Sequence, residues 1–251
     1  MGERSFYLAG VDGCKAGWFV AIASVASPAV KLAAKYLDYC IASSFVEVLS
    51  KTRQCKLVCI DIPIGLTDSA EPRKCDMAAR KILSRGRAGS IFPPPIRPCL
   101  AARSYETASR ICFEHSGKRL SRQSFFILPK IREVDEAMTP ELQQRVREIH
   151  PELAFWALNG GKPARHKKKT LAGRNERMKL LSLIFSDVAE LVAKARKPKQ
   201  VAPDDILDAL AAAWTACQAV IGKAKTLPDN PEIDSKGLRM EILCPIATIV
   251  E

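Results

Sequence analysis

The chain has 251 residues, 47% of them hydrophobic, and its 39 Lys and Arg outnumber 27 Asp and Glu for a formal net charge of +12. That apolar share supplies one substantial core and excludes a disordered chain, while charges interrupting every apolar stretch exclude a transmembrane span. A surplus of positive charge this large favours polyanionic partners, nucleic acid first among them.

The opening FYLAGV run is too short for a signal-peptide core and lacks a small-residue cleavage site, so a cytoplasmic location is the expectation. The nine cysteines are odd in number and form no C-x-x-C pair. Buried reduced thiols are therefore expected in place of disulfides or structural zinc. Three histidines supply a zinc hydrolase poorly.

Residues 6–12 and 18–24 predict a β-hairpin, with Gly13 and Gly17 in the bend. Residues 30–40 read as a third strand and 43–52 as a serine-capped helix with Phe45, Val46 and Leu49 at helical spacing. KLVCIDIPIGL (56–66) is an apolar run broken by one aspartate, the pattern of a buried central strand. Even spacing puts Cys55 and Cys59 on one face of it. Strand, strand, strand, helix, strand implies a mixed sheet with a crossover helix. Residues 72–88 predict a basic helix, 90–100 a proline-dense irregular segment, and 104–116 and 122–138 amphipathic helices. This section, about 67–143, reads as an insertion lobe within a single domain spanning 1–251. Strand character returns at 145–153, followed by helices at 152–158, 174–185, 187–196 and 204–222. The segment 237–246 predicts a closing strand at a sheet edge, since a proline interrupts its end.

Against this skeleton the acidic residues fall at the ends of elements. Asp12 ends the first strand, Asp61 sits in the fourth, Glu152 follows the fifth, and Asp204, Asp205 and Asp208 open the last helix. Asp204 after Pro203 has the place of an N-cap. Asp204 and Asp208 share a helix face, where like charges cost about 0.2–0.5 kcal/mol, and a carboxylate inside an apolar strand costs several kcal/mol unless paired. Carboxylates converging at strand ends bind Mg²⁺ or Mn²⁺ through oxygen ligands, and a pair of such ions activates water and stabilises the leaving oxygen of a phosphodiester. A cation would also relieve the repulsion. Asp12 as a turn residue and Asp61 in a salt bridge are the competing structural readings.

The loop ARHKKKTLAGRNER concentrates Arg165, Lys167, Lys168, Lys169, Arg174 and Arg177 ahead of a helix N-terminus, which suits phosphate. Arg73, Arg80, Arg85 and Arg87 lie partly on one helical face and are placed along the same groove. Lys15 is a further phosphate candidate, whereas Cys14 has no histidine near it in sequence to act with. Trp18, Trp156 and Trp214 are assigned to the core.

The blocks GVDGCKAGW, IDIPIGL, RKCDMAAR, SIFPPPIR, IHPELAF, KKTLAGRNER and DDILDALAAAWTA, in this order, resemble domain-of-unknown-function family 429, whose members are predicted RNase H-like nucleases. The resemblance spans nearly the whole chain. It implies an α/β, RNase H-like mixed sheet with flanking helices and the helical, proline-rich insertion after the fourth strand. It further implies a Mg²⁺- or Mn²⁺-dependent nuclease in which Asp12, Asp61 and Asp208 hold metal, with Asp204 or Asp205 as a further ligand. Glu152 has no fixed counterpart in that scheme and is assigned a fourth-carboxylate role, or else His150 that of proton shuttle. Lys168, Lys169, Thr170, Gly173 and Arg177 match the family's basic motif. The insertion departs from a typical nuclease, where this side stays open to the strand being cut. Two alternatives stand beside hydrolysis of nucleic acid: a non-catalytic nucleic-acid-binding module, and a small-molecule phosphotransferase or phosphatase with a covered pocket.

Overall fold

The computed structural model describes residues 5–26, 36–69, 71–196 and 200–247. Strands β1 (Ser5–Cys14) and β2 (Gly17–Ala26) form the expected antiparallel hairpin, whose register sets Asp12 opposite Phe19. Beyond β2 lies β3 (Tyr36–Ala42), also antiparallel. Part of the predicted third strand, residues 30–35, lies outside the described residues. Helix α1 (Phe45–Lys51) crosses back so that β4 (Cys55–Ile60) pairs with β1 in parallel, and β5 (Val146–Glu148) pairs in parallel with β4. The resulting order, β3-β2-β1-β4-β5, is the mixed α/β sheet of the RNase H-like arrangement.

Two expectations for β4 fail locally. The strand ends at Ile60, so Asp61 is the first residue past it and not part of it. The β1–β4 register shifts between Tyr7 and Leu8, opposite Cys55 and Leu57. This irregularity sends Cys55 and Cys59 to opposite faces of the sheet, in separate core clusters. All nine cysteines are free thiols, and all except half-buried Cys40 are buried.

One face of the sheet carries α1 and α4 (Arg122–Ala137) of the insertion, whose Ile131 and Val134 pack with Val11, Trp18 and Val20. The insertion also contains α2 (Lys74–Arg87), broken at Ser84 by a φ of 52°, and α3 (Tyr105–Ser116). It is fastened down. The Glu133 carboxylate accepts from the Trp18 indole at 3.1 Å and from the Phe45 N–H at 3.0 Å, and the Arg97 guanidinium bridges Asp135 and Asp234.

The other face carries α5 (Pro151–Leu158), α6 (Leu171–Ser182), α7 (Val188–Ala195) and α8 (Pro203–Val220). From Ile206 to Gln218 every residue of α8 is buried, as expected of a helix that is apolar all round. Trp18 and Trp214 are core residues and Trp156 is half-buried.

The closing strand β7 (Arg239–Pro245) pairs with β6 (Ala224–Ile233) in a separate two-stranded sheet, not at the edge of the main one. A parallel bridge from Ile149 to Leu243 ties the two sheets together. Pro228 and Pro231 hide β6 in the sequence, and the pairing shifts register across them. Among the described residues no helix is long and apolar enough to cross a membrane.

Candidate active site

The site begins with a missing side chain. Gly10 faces α8, and a Cβ there would lie 2.1 Å from both the Ala209 carbonyl oxygen and the Ala213 nitrogen. Only glycine lets the α8 backbone come this close to β1. Two residues further along β1, Asp12 points to the same side. On α8, Asp208 precedes Ala209. The close approach therefore brings two carboxylates together from positions 196 apart in sequence.

Asp61 joins them through the ladder. Its N–H donates to the Val11 carbonyl at 3.0 Å, which continues the parallel pairing one residue past β4 and sets Asp61 beside Asp12. The Ile149 N–H bonds the Ile60 carbonyl at 2.9 Å, so His150 and Glu152 emerge next to Asp61. All these groups stand at the carboxyl ends of the parallel strands, where open α/β sheets bind ligands. They line one cavity of about 660 Å³.

Burial is deep: Asp12 is 8% exposed and Asp208 1%. Burial, followed by the nearby Asp61 and Asp208 charges, holds the Asp12 carboxyl well above the usual carboxylate range. Asp208 is pushed up to about 6, first by burial, with Lys168 opposing and Asp61 adding to the shift. Burial also raises Asp61, opposed by His150 and Lys168, and it raises Asp205. Lys168 donates from Nζ to Asp208 Oδ2 at 2.6 Å, and the charge of Asp208, with further pull from Asp12 and Asp61, keeps its ammonium protonated far above the normal lysine range. One ammonium thus answers several carboxylates.

The basic motif positions that ammonium. A Cβ on Gly173 would meet the Lys167 carbonyl oxygen at 2.0 Å, so the loop lies flat on the start of α6. Thr170 caps the helix by accepting from the Gly173 N–H at 3.1 Å. Glu176 accepts from the Arg165 and His166 N–H groups at 2.8 and 2.9 Å. Arg177 is buried, donates to the His166 carbonyl at 3.0 Å and forms an ion pair with Glu152. Its predicted contact with phosphate is therefore replaced by a structural one, because its charge and both terminal nitrogens are engaged inside the fold, although its buried Nε has no hydrogen-bond partner.

Other expected residues divide similarly. Lys15 and Lys169 are exposed on the cavity rim, as is Lys167. Arg80 is exposed, does not line the cavity, and supports its wall from behind by donating to the Ile91 carbonyl at 2.7 Å. Ala202, not Asp204, is the N-cap of α8; Asp205 accepts from the Ala202 N–H at 2.9 Å, and Asp204 stays at the cavity mouth. His150 is the N-cap of α5, with Nδ1 accepting from the Glu152 N–H at 3.2 Å. That bond occupies Nδ1 as an acceptor, so proton transfer through Nδ1 would require giving up the cap. Glu152 is 6% exposed, and its Oε2 has no hydrogen-bond partner, with Arg87 Nε 4.0 Å away.

Several lining residues were not anticipated. Lys130 of α4 donates to the Gly17 carbonyl, sits 4.3 Å over the Trp18 ring, and has its pKa lowered by burial. Gln123, Phe126, Ile127 and Lys130 fall on one face of α4, a spacing visible in the sequence. Arg73, which the sequence placed along the groove, is instead buried behind the acids: its guanidinium grips Asp76 and Glu148 at 2.7 Å each and bonds the Gly65 carbonyl at 3.1 Å. It clamps the IPIGL segment that follows Asp61.

A divalent cation fits this donor set by chemistry. The donors are carboxyl oxygens, the hard type such a cation prefers, and Mg²⁺ commonly uses only one or two carboxylates and keeps several waters. Among the described residues no three carboxylate, imidazole or thiolate groups already enclose one metal-sized point.

No curated protein matches the sequence. Among solved structures, Thermus thermophilus RuvC is similar at 13% identity and a TM-score of 0.30, over 86% of this chain and 97% of that one. So loose a superposition transfers no residue role. The family described as protein of unknown function (DUF429) matches residues 10–233, a span that includes every acid of the site. The chain is a member of that family.

Proposed function

We propose that this chain is a divalent-metal-dependent phosphodiester hydrolase acting on nucleic acid. The observation that carries this reading is the meeting of Asp12, Asp61 and Asp208 in one cavity, with Lys168 bonded to Asp208 among them. Mg²⁺ or Mn²⁺ would be held by these three, with Asp204 and Asp205 at the mouth. When bound, the ion would stabilise charge on the phosphoryl oxygens and make a water nucleophilic near neutral pH.

The protein's own residues do the rest. Lys168 opposes the upward shift of Asp208 in the metal-free protein, and its ammonium would suit a phosphate oxygen of a bound substrate. Lys15, Lys167 and Lys169 attract the backbone of the substrate without reading its sequence. The net charge of +12 supports a nucleic-acid substrate through the same attraction.

The test is incubation of wild type and the Asp12→Asn, Asp208→Asn double variant with labelled single-stranded, duplex and hybrid substrates in Mn²⁺. Cleavage by wild type alone is expected. Wild-type cleavage no greater than the variant's on every substrate would overturn hydrolysis, and binding without cleavage would leave a nucleic-acid-binding module.

A further inference from the structure

Three kinds of surface meet in the cavity. Its floor is the acid cluster, and its rim carries the exposed Lys15, Lys167 and Lys169. One wall belongs to the insertion and is apolar and aromatic: Ile91, Phe92, Phe126 and Ile127. Phe126 is 74% exposed, an unusual state for phenylalanine at a position where the rest of α4 is anchored by Ile131, Val134 and Glu133. Its neighbour Phe125 packs edge-on against Tyr105, which Arg122 covers; among the described residues Phe126 meets only the Phe125 ring, at 6.4 Å between centroids, and it lines the cavity.

From this combination we infer that the substrate is an unpaired nucleotide unit within a single strand, and that Phe126 and Phe92 supply a platform for its base. The inference rests on the hydrolase reading and names its substrate class. A phosphate matches the lysine rim and a metal-bearing floor. The planar, weakly polar face of a base matches the aromatic wall, and stacking of this kind accepts any base. The shape selects against duplex. Asp12 and Asp208 lie at the bottom of the cavity, so a scissile phosphate must descend to them, and a paired base cannot follow without leaving its stack. A volume of about 660 Å³ sits within the roughly 300–1,000 Å³ range of small-ligand sites, space for a nucleotide or two and not for a stretch of duplex.

The experiment measures binding separately from cleavage. The Asp12→Asn, Asp208→Asn protein, in which the walls and rim are intact, is titrated with a fluorescein-labelled single strand, the blunt duplex of the same sequence, and a mononucleotide as competitor. The expected result is binding of the single strand at least tenfold tighter than the duplex. Adding Phe126→Ala should weaken the single strand about tenfold and leave the duplex unchanged. Phe126→Trp should restore it, and the exposure of this side chain keeps both variants folded. A mononucleotide competing as well as the strand, with the same dependence on Phe126, supports the base platform and assigns it to free nucleotides. Equal or tighter binding of duplex, no binding of any probe, or indifference to Phe126→Ala overturns the inference. Because binding is read in the double variant and cleavage in wild type, these outcomes are independent of the hydrolysis assay: single-strand binding with no wild-type cleavage overturns hydrolysis and leaves the platform standing.

Discussion

Replacing Gly10 by alanine tests how the acids are brought together. The new Cβ would lie 2.1 Å from two backbone atoms of α8 and 2.7 Å from a third, against 3.4 Å or more for ordinary contact. None of these atoms belongs to a flexible side chain, so α8 must retreat from β1 by about 1 Å or more. Overpacking of this kind costs about 3 kcal/mol at the upper end of its usual range, which lowers Tm by about 6–12 °C in a domain this size. Because Asp208 rides on the same helix turn, the gap between it and Asp12 widens together with the helix displacement. Misplacement by 1 Å costs about 10²-fold in rate. Differential scanning calorimetry and Mn²⁺-dependent cleavage should therefore both fall, with Mn²⁺ affinity reduced as well. A variant with wild-type Tm and wild-type metal affinity would show that α8 does not depend on the bare backbone at Gly10.

Lys168→Met should lower the Tm of the metal-free protein by a few degrees, about 1 kcal/mol after allowing for the partial exposure of the lysine, and Mn²⁺ should recover more of it than it adds to wild type; an identical Mn²⁺ increment in both would refute the counter-charge role. Arg73→Met strands the buried Glu148 and Asp76 and should cost about 3–5 kcal/mol, read by urea denaturation; a loss below 1 kcal/mol would mean the clamp is dispensable. For pH, Asp208 in the folded protein is pushed up to about 6, above its value in the unfolded chain. Its contribution is therefore fully present below about pH 4 and is lost as pH rises through 6. Metal-free wild type should thus gain about 1 kcal/mol between pH 7 and pH 5 relative to Asp208→Asn, and parallel pH–stability curves for the two proteins would contradict the shift.

Much of this fold was legible because its central elements announce themselves. The hairpin flanking DGCKAG, the apolar run before Asp61 and the alanine-rich last helix all carry periodicity that survives in the structure. Strand β6 was not legible, since Pro228 and Pro231 mark a loop by every local rule and only the long-range pairing with β7 overrides them. The acids were legible as a set, because carboxylates at strand ends need a reason. Their partners were not. Lys168 and Asp208 are 40 residues apart, Arg177 and Glu152 are 25 apart, and nothing local distinguishes a lysine aimed at phosphate from one aimed at an aspartate. The three aspartates opening α8 prove to have separate tasks: Asp205 secures the helix start, Asp208 reaches the cavity floor, and Asp204 stays at its mouth.

Isothermal titration of Mn²⁺ into the metal-free wild type and into the Asp12→Asn, Asp208→Asn variant, at constant pH and salt, goes most directly to the cluster itself. Saturable, stoichiometric binding by wild type that disappears in the variant is expected. Equal binding by both proteins, or none by either, would mean that these carboxylates are gathered for Lys168 alone and not for a metal.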